Sequence, residues 1–88
     1  VFSTPKAEPS PAARKAATVR EIAIRFTYHA PHGTQAARYE QIRHMAGQLA
    51  MELVNLCPDS REFSVALTKL DEVVFWANAS IARNEKQE

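Results

Sequence analysis

Tyr28, His29, Arg43 and Arg83 are the residues whose types and positions suit binding chemistry. The first two lie in Tyr28-His-Ala-Pro-His-Gly33. Pro31 biases Ala30 away from helix, and Gly33 frees the backbone, so this segment is expected to be a loop. A ring on such a loop can be presented without being sealed in a core. Its face is a stacking platform for a base, worth about 1–3 kcal/mol per base. Arg43 falls one turn after Tyr39 on an expected helix and off its apolar stripe, which leaves the guanidinium for phosphate or carboxylate. Arg83 closes the last expected helix, where its charge complements the dipole. Each has a plainer alternative: Tyr28 could pack over the helices, and the two arginines could be solvated or capping groups.

Catalytic chemistry has no comparable foothold. His29, His32, His44 and Cys57 are the metal-ligand types present, but two of the histidines share a loop and nothing in the spacing fixes them against the others. Surface or capping histidines are the expectation, with no metal. Cys57 precedes Pro58 among apolar neighbours, which suits a structural thiol better than a nucleophile. Glu40 with Arg43 or His44, and Asp71 with Glu72, read as solvated helix faces. A Gly-rich phosphate loop, a zinc-type Cys pairing and a His-Glu-x-x-His motif are all missing. The expectation is a chain that is not an enzyme and takes no cofactor.

Three helices are expected to position these residues. Val19, Ile22, Ala23 and Phe26 fit a short helix from Thr18 to Arg25, with Thr18 as N-cap. Alternation at Ile22, Ile24, Phe26 and Tyr28 also fits a strand, but no second strand candidate follows. The second helix runs from about Thr34 to Leu56, with Tyr39, Ile42, Ala46, Leu49, Leu53 and Leu56 stepping by three and four as a heptad seam. Gly47 costs about 1 kcal/mol in that helix relative to Ala. Pro58 stops the helix, and Asp59-x-x-Glu62 has the form of a capping box for the next. The third helix, about Ser60 to Arg83, carries a matching seam at Phe63, Leu67, Leu70, Val74, Ala77 and Ile81. Two matched helices joined by a tight turn make an antiparallel αα-hairpin.

The third helix has more apolar surface than one partner helix can cover. Val73 and Trp76 flank its seam, and Phe75 points to another side. The expected fold is therefore all-α, a short N-terminal helix plus a long antiparallel αα-hairpin, assembled as a homo-oligomer.

The chain has 88 residues, enough for one domain. Pro5, Pro9 and Pro11 fall among Ser, Thr, Ala, Lys and Glu without apolar periodicity, so residues 1–17 are expected to be a disordered arm. Residues 18–84 form the helical oligomerisation and ligand-binding domain, and residues 85–88 a frayed tail. Such a body sits near the size where a single core is marginal. The net charge of +1 divides unevenly. Residues 1–20 carry four basic and one acidic side chain, +3, and residues 21–88 seven basic and nine acidic, −2. A slightly acidic body argues against duplex nucleic acid as a partner. Cys57 is alone, so no intramolecular disulfide can form, which fits a reducing cytoplasm. No apolar run approaches the ~20 residues of a membrane span, so no membrane partner is expected. The first residue is Val1 rather than Met, and an upstream segment is one reading of that.

The run Arg25-Phe-Thr-Tyr-His-Ala-Pro31 is followed in order by Tyr39-x-x-Ile-Arg43, Leu56-Cys-Pro-x-Ser-Arg-Glu62, Ala66-Leu-Thr-Lys-Leu70 and Phe75-Trp-Ala-Asn-Ala-Ser-Ile-Ala-Arg83. This ordered set, from about Arg25 to Arg83, resembles a family of small phage proteins, the anti-CBASS sponges, which sequester the cyclic oligonucleotide messengers of bacterial antiphage defence. The resemblance implies a helical homohexamer without enzymatic activity, working in the host bacterial cytoplasm. It implies that cyclic dinucleotides lie between paired protomers, held by a loop tyrosine and a basic helix residue, for which Tyr28 and Arg43 are the matching positions. The helix residue is often lysine in that family, so arginine at position 43 bears on which messenger is preferred. A second site, for cyclic trinucleotides where three protomers meet, uses an arginine late in the chain, and Arg83 is the candidate. The first twenty residues have no counterpart in the resemblance.

The symmetry of the ligands suits such an assembly. A twofold interface presents each side chain twice, so one Tyr and one Arg per chain can stack both bases and pair both phosphates of a cyclic dinucleotide. The alternative reading is a helical protein–protein interaction module with no small-molecule ligand, in which Phe75 and Trp76 meet a foreign partner.

Overall fold

The computed structural model describes residues 9–86, which form three α-helices and no strand. The first helix, α1, spans Pro11–Arg25. Its start lies seven residues before the expected cap at Thr18, so the expected disordered arm of residues 1–17 gives way to helix from Pro11 onward. The cause is local. Ser10 accepts a hydrogen bond from the Ala13 N–H at 3.1 Å, and Pro11 occupies the first helical position, where its missing N–H costs nothing. Ala12, Ala13, Ala16 and Ala17 then favour helix through propensity, without an apolar period to announce it. Thr18 lies inside the helix and donates its hydroxyl to the Arg14 carbonyl at 3.0 Å. Residues 1–8, the rest of the expected arm, lie outside the described residues.

The second helix, α2, spans Gln35–Leu56, and the third, α3, spans Arg61–Asn84, each close to its expected bounds. Gly33 enters α2 at φ +54°, a left-handed conformation that favours glycine. Between α2 and α3 the N-cap is Ser60, not Asp59. Ser60 Oγ accepts from the Phe63 N–H at 3.1 Å and donates to the Pro58 carbonyl at 3.2 Å. Glu62 in the first turn and Arg83 in the last still complement the dipole of α3. At its C-terminus Glu85 is the cap residue and is held by its side chain, so the expected frayed tail of 85–88 does not begin there. Residues 87–88 lie outside the described residues.

The helices α2 and α3 pack against each other as an antiparallel hairpin. Phe63, Leu67, Leu70, Val74, Ala77 and Ile81 are all half-buried, as the seam requires. On α2, Tyr39, Ile42, Ala46 and Leu53 are half-buried, whereas Leu49 and Leu56 are exposed. Ala50 and Cys57 take the inward places instead. A straight helix drifts by about 20° per heptad from a 3.5-residue repeat, and the seam moves round with it.

One chain on its own has no buried apolar core among the described residues, and Gln35 is the one buried residue, 2 % exposed. Every residue of α1 is exposed. The radius of gyration is 18.7 Å, against about 12 Å for a compact chain of this length. Phe26, Phe75 and Trp76 are exposed by 82 %, 64 % and 66 %. Apolar surface on this scale is a feature of chains that bury it against a partner.

Candidate functional site

Residues 26–34 link α1 to α2 and carry Tyr28, whose exposure is 84 %. This link is tied down at both ends. His29 Nε2 lies 2.7 Å from the Ile24 carbonyl, so the imidazole donates to the last turn of α1. His29 was a candidate ligand contact, and the structure gives its half-buried ring this local partner. At the other end the His32 N–H donates to Gln35 Oε1 at 3.1 Å, and the Gln35 N–H donates to the His32 carbonyl at 3.0 Å.

Gln35 connects the link to the far end of the hairpin. Its Nε2 donates to Glu85 Oε1 at 3.1 Å and to the Ile81 carbonyl at 3.4 Å. Arg38 grips the same carboxylate as a fork, with both N···O distances 2.6 Å, and its Nε donates to Thr34 Oγ1 at 3.0 Å. The hydrogen bonds from Arg38, and then from Gln35, hold the Glu85 carboxyl down at about 2. The pair remains partly exposed. Gln35, Arg38 and Glu85 had no role in the sequence reading. Polar residues 47 and 50 positions apart leave no periodic signal, and only the structure brings them together.

Arg43 stands exposed on α2, at the edge of an open trough of about 460 Å³. The α2 side is lined by Ala46, Gly47 and Ala50, the α3 side by Leu67, Leu70, Val74 and Phe75, with Asp71 as the acidic group. Arg83 is half-buried and borders two clefts that also share Trp76 and Ala79. One of these continues to Glu21, Ile24, Arg25 and Phe26 at the end of α1, the other to Glu72 and Phe75. Neither the Arg43 nor the Arg83 side chain has a hydrogen bond or ion pair among the described residues. Trp76 is thereby a neighbour of Arg83 that the sequence reading treated only as apolar surface. Its spacing of seven residues from Arg83 was the available signal, since such residues share a helix face.

The clefts that Arg43 and Arg83 border do not include Tyr28. A single chain therefore offers a presented ring and two unpaired cations in separate places. No group of three His, Cys, Asp or Glu side chains comes together as a metal site among the described residues. No helix of the described residues is long and apolar enough to cross a membrane.

A coreless helical hairpin with a tethered aromatic loop and unpaired arginines defines a small binding module. Residues 18–82, about three quarters of the chain, match the family model described as the Acb2/Tad1 hairpin domain. The chain belongs to that family, the anti-CBASS cyclic-oligonucleotide sponges, whose members are binding proteins rather than enzymes. The match begins in the middle of α1 and ends just before Arg83, so Tyr28, His29 and Arg43 fall inside it and Arg83 and Glu85 outside. Comparison with curated proteins and with solved structures gives no match.

Proposed function

We propose that this chain binds and withholds cyclic di- and trinucleotide messengers without cleaving them, and so blocks CBASS signalling in the host bacterial cytoplasm. The observation that carries this reading is Tyr28, an almost fully exposed ring on a loop anchored at both ends, in a chain of the sponge family. An aromatic side chain left in water serves a folded monomer poorly, whereas it suits stacking on a base.

In this reading the protein is a homo-oligomer, a hexamer by family resemblance. Tyr28 and Arg43 are separate within one chain, and a twofold interface supplies each of them twice to a twofold ligand. Tyr28 stacks on the bases and Arg43 pairs with the phosphodiesters, with His29 setting the loop beside them. Arg83 serves the trinucleotide at a threefold meeting of chains. Enclosure between subunits desolvates the ligand and slows its release, which is what sequestration requires.

Calorimetry of the assembled protein with cyclic GMP–AMP and with cyclic tri-adenylate tests this. Binding of at least one at micromolar concentration or below is expected, with the ligand recovered intact. An assembled oligomer that binds neither refutes the reading. A second reading draws on the exposed pair Phe75 and Trp76: a protein–protein interaction module with no small-molecule ligand. Light scattering separates the two, because a stable monomer favours the second.

A further inference from the structure

We propose that Gln35 and Glu85 are positioning residues for Tyr28, acting through the clasp that they form with Arg38. The inference deepens the reading of Tyr28 as a ligand contact and rests on it.

The link from residue 26 to residue 34 has no regular structure of its own beyond turns, and Tyr28, Ala30 and Pro31 in it are exposed. Among the described residues no apolar side chain is buried to hold it in place. What holds it is polar. Gln35 Oε1 accepts from the His32 N–H, and Arg38 Nε donates to the Thr34 hydroxyl oxygen. Both residues then deliver their remaining donors to one carboxylate, that of Glu85. The link is thus fastened to the end of α3, and at its other end to α1 through His29. Tyr28 lies in the turn that His29 closes onto Ile24, and only Ala30 and Pro31 separate that turn from His32, so the clasp sets where the turn, and the ring on it, leaves α2.

The burial of Gln35, the one buried residue among those described, also points this way. Burying an amide has a cost unless its donors and acceptor are met, and here Oε1 and Nε2 all have partners. A satisfied polar network specifies one arrangement where apolar contacts would tolerate several. A ring held in its bound position before the ligand arrives does not have to be ordered on binding, which strengthens the complex. Gln35 and Arg38 lie inside the residues that match the family model, and Glu85 lies just beyond them.

The test is a double-mutant cycle read by binding of cyclic GMP–AMP to the assembled protein. Glu85→Ala and Gln35→Leu are expected to weaken binding about tenfold, mainly through slower association, because a smaller fraction of loops is competent. Amide exchange in residues 27–34 should quicken while that in the middle of α2 and α3 does not change. In a Tyr28→Ala background, Glu85→Ala should cost nothing further, since its effect passes through the missing ring. Glu85→Gln, which keeps the shape and an acceptor, covers the case in which the alanine variant does not fold, and should fall between parent and alanine. Parent-like binding by Gln35→Leu and by the Glu85 variants overturns the inference while leaving the proposed function standing. An undiminished cost in the Tyr28→Ala background overturns it as well, because the clasp would then act elsewhere. A parent protein that binds no cyclic dinucleotide removes both this inference and the dinucleotide site it serves.

Discussion

Arg38 and Glu85, 47 residues apart in the chain, meet fork to carboxylate with both N···O distances at 2.6 Å. The contact joins the first turn of α2 to the residue that caps α3, and so closes the open end of the hairpin opposite Pro58. Planar pairing of this kind fixes direction as well as distance, which a lysine in place of Arg38 could not do.

Acid should open this contact in a defined window. The Glu85 carboxyl is lowered from 4.5 to about 2 in the folded chain, chiefly by the hydrogen bonds from Arg38. A carboxylate with a depressed value contributes its stability above about pH 4.5 and loses it progressively as pH falls toward 2. Carboxyl NMR should therefore place the midpoint of Glu85 near 2, and Arg38→Ala should move it up toward the ordinary carboxylate range. A Glu85 midpoint near 4.5 in the unaltered protein would show that the fork is not made in solution.

Loss of the presented ring or of the unpaired helix cation should weaken the dinucleotide complex without dissolving the assembly. Base stacking on an aromatic side chain is worth about 1–3 kcal/mol per base, and the substitution removes the ring from both halves of a twofold site, so Tyr28→Ala should raise the dissociation constant by roughly thirtyfold or more. Arg43→Ala should also weaken binding, and the remaining affinity should depend less on salt. Calorimetry at two ionic strengths, with light scattering on the same samples, reads both effects. Normal binding by both variants would move the site elsewhere even within a sponge.

Arg83 should separate the two classes of ligand. It borders clefts with Trp76 rather than the trough that Arg43 borders, and it has no ion partner among the described residues. Arg83→Ala should therefore depress binding of cyclic tri-adenylate while leaving cyclic GMP–AMP within about twofold of the parent. Equal losses for both ligands would mean that the proposed sites are not distinct.

The turn between the long helices offers a check on stability alone. Ser60 Oγ accepts the Phe63 N–H, so Ser60→Ala should cost about 1 kcal/mol in chemical denaturation. Asp59→Ala, at the position the sequence favoured as the cap, should change stability by less than about 0.5 kcal/mol. The reverse order would restore the capping box at Asp59.

That turn also shows what could be read in advance. Pro58 and Gly33 bracket α2 and fixed its expected bounds to within a residue, because backbone chemistry at Pro and Gly does not depend on tertiary context. The choice between Asp59 and Ser60 does depend on it, since either side chain can cap. The start of α1 leaves no periodic signal, because its alanines give helix without an apolar stripe. Leu49 and Leu56 were misplaced by a strict heptad that a straight helix does not keep. Tyr28 and Arg43 came to attention through their loop and off-seam positions together with the family motifs. The Gln35 clasp had no such handle, because hydrogen-bonding partners distant in the chain leave no spacing to detect.

The exposed apolar surface makes the final prediction, and the rest of the functional reading depends on it. A 9.8 kDa chain with no buried apolar residue among those described has little to offset the conformational entropy lost on folding. Val73, Phe75 and Trp76 on α3, with Ile22 and Phe26 on and after α1, remain in water unless further chains cover them. Burial returns about 25 cal/mol per Å² of apolar surface, so covering several large side chains is worth many kcal/mol per chain. Light scattering should therefore give a mass several times that of one chain, and Trp76 fluorescence should be blue-shifted in the assembly. Trp76→Glu places a charge on that surface and should drive the protein toward smaller, less helical species. If the parent chain is instead monomeric and fully helical in dilute buffer, its exposed rings are stable in water, and sites completed by neighbouring copies have no structural basis.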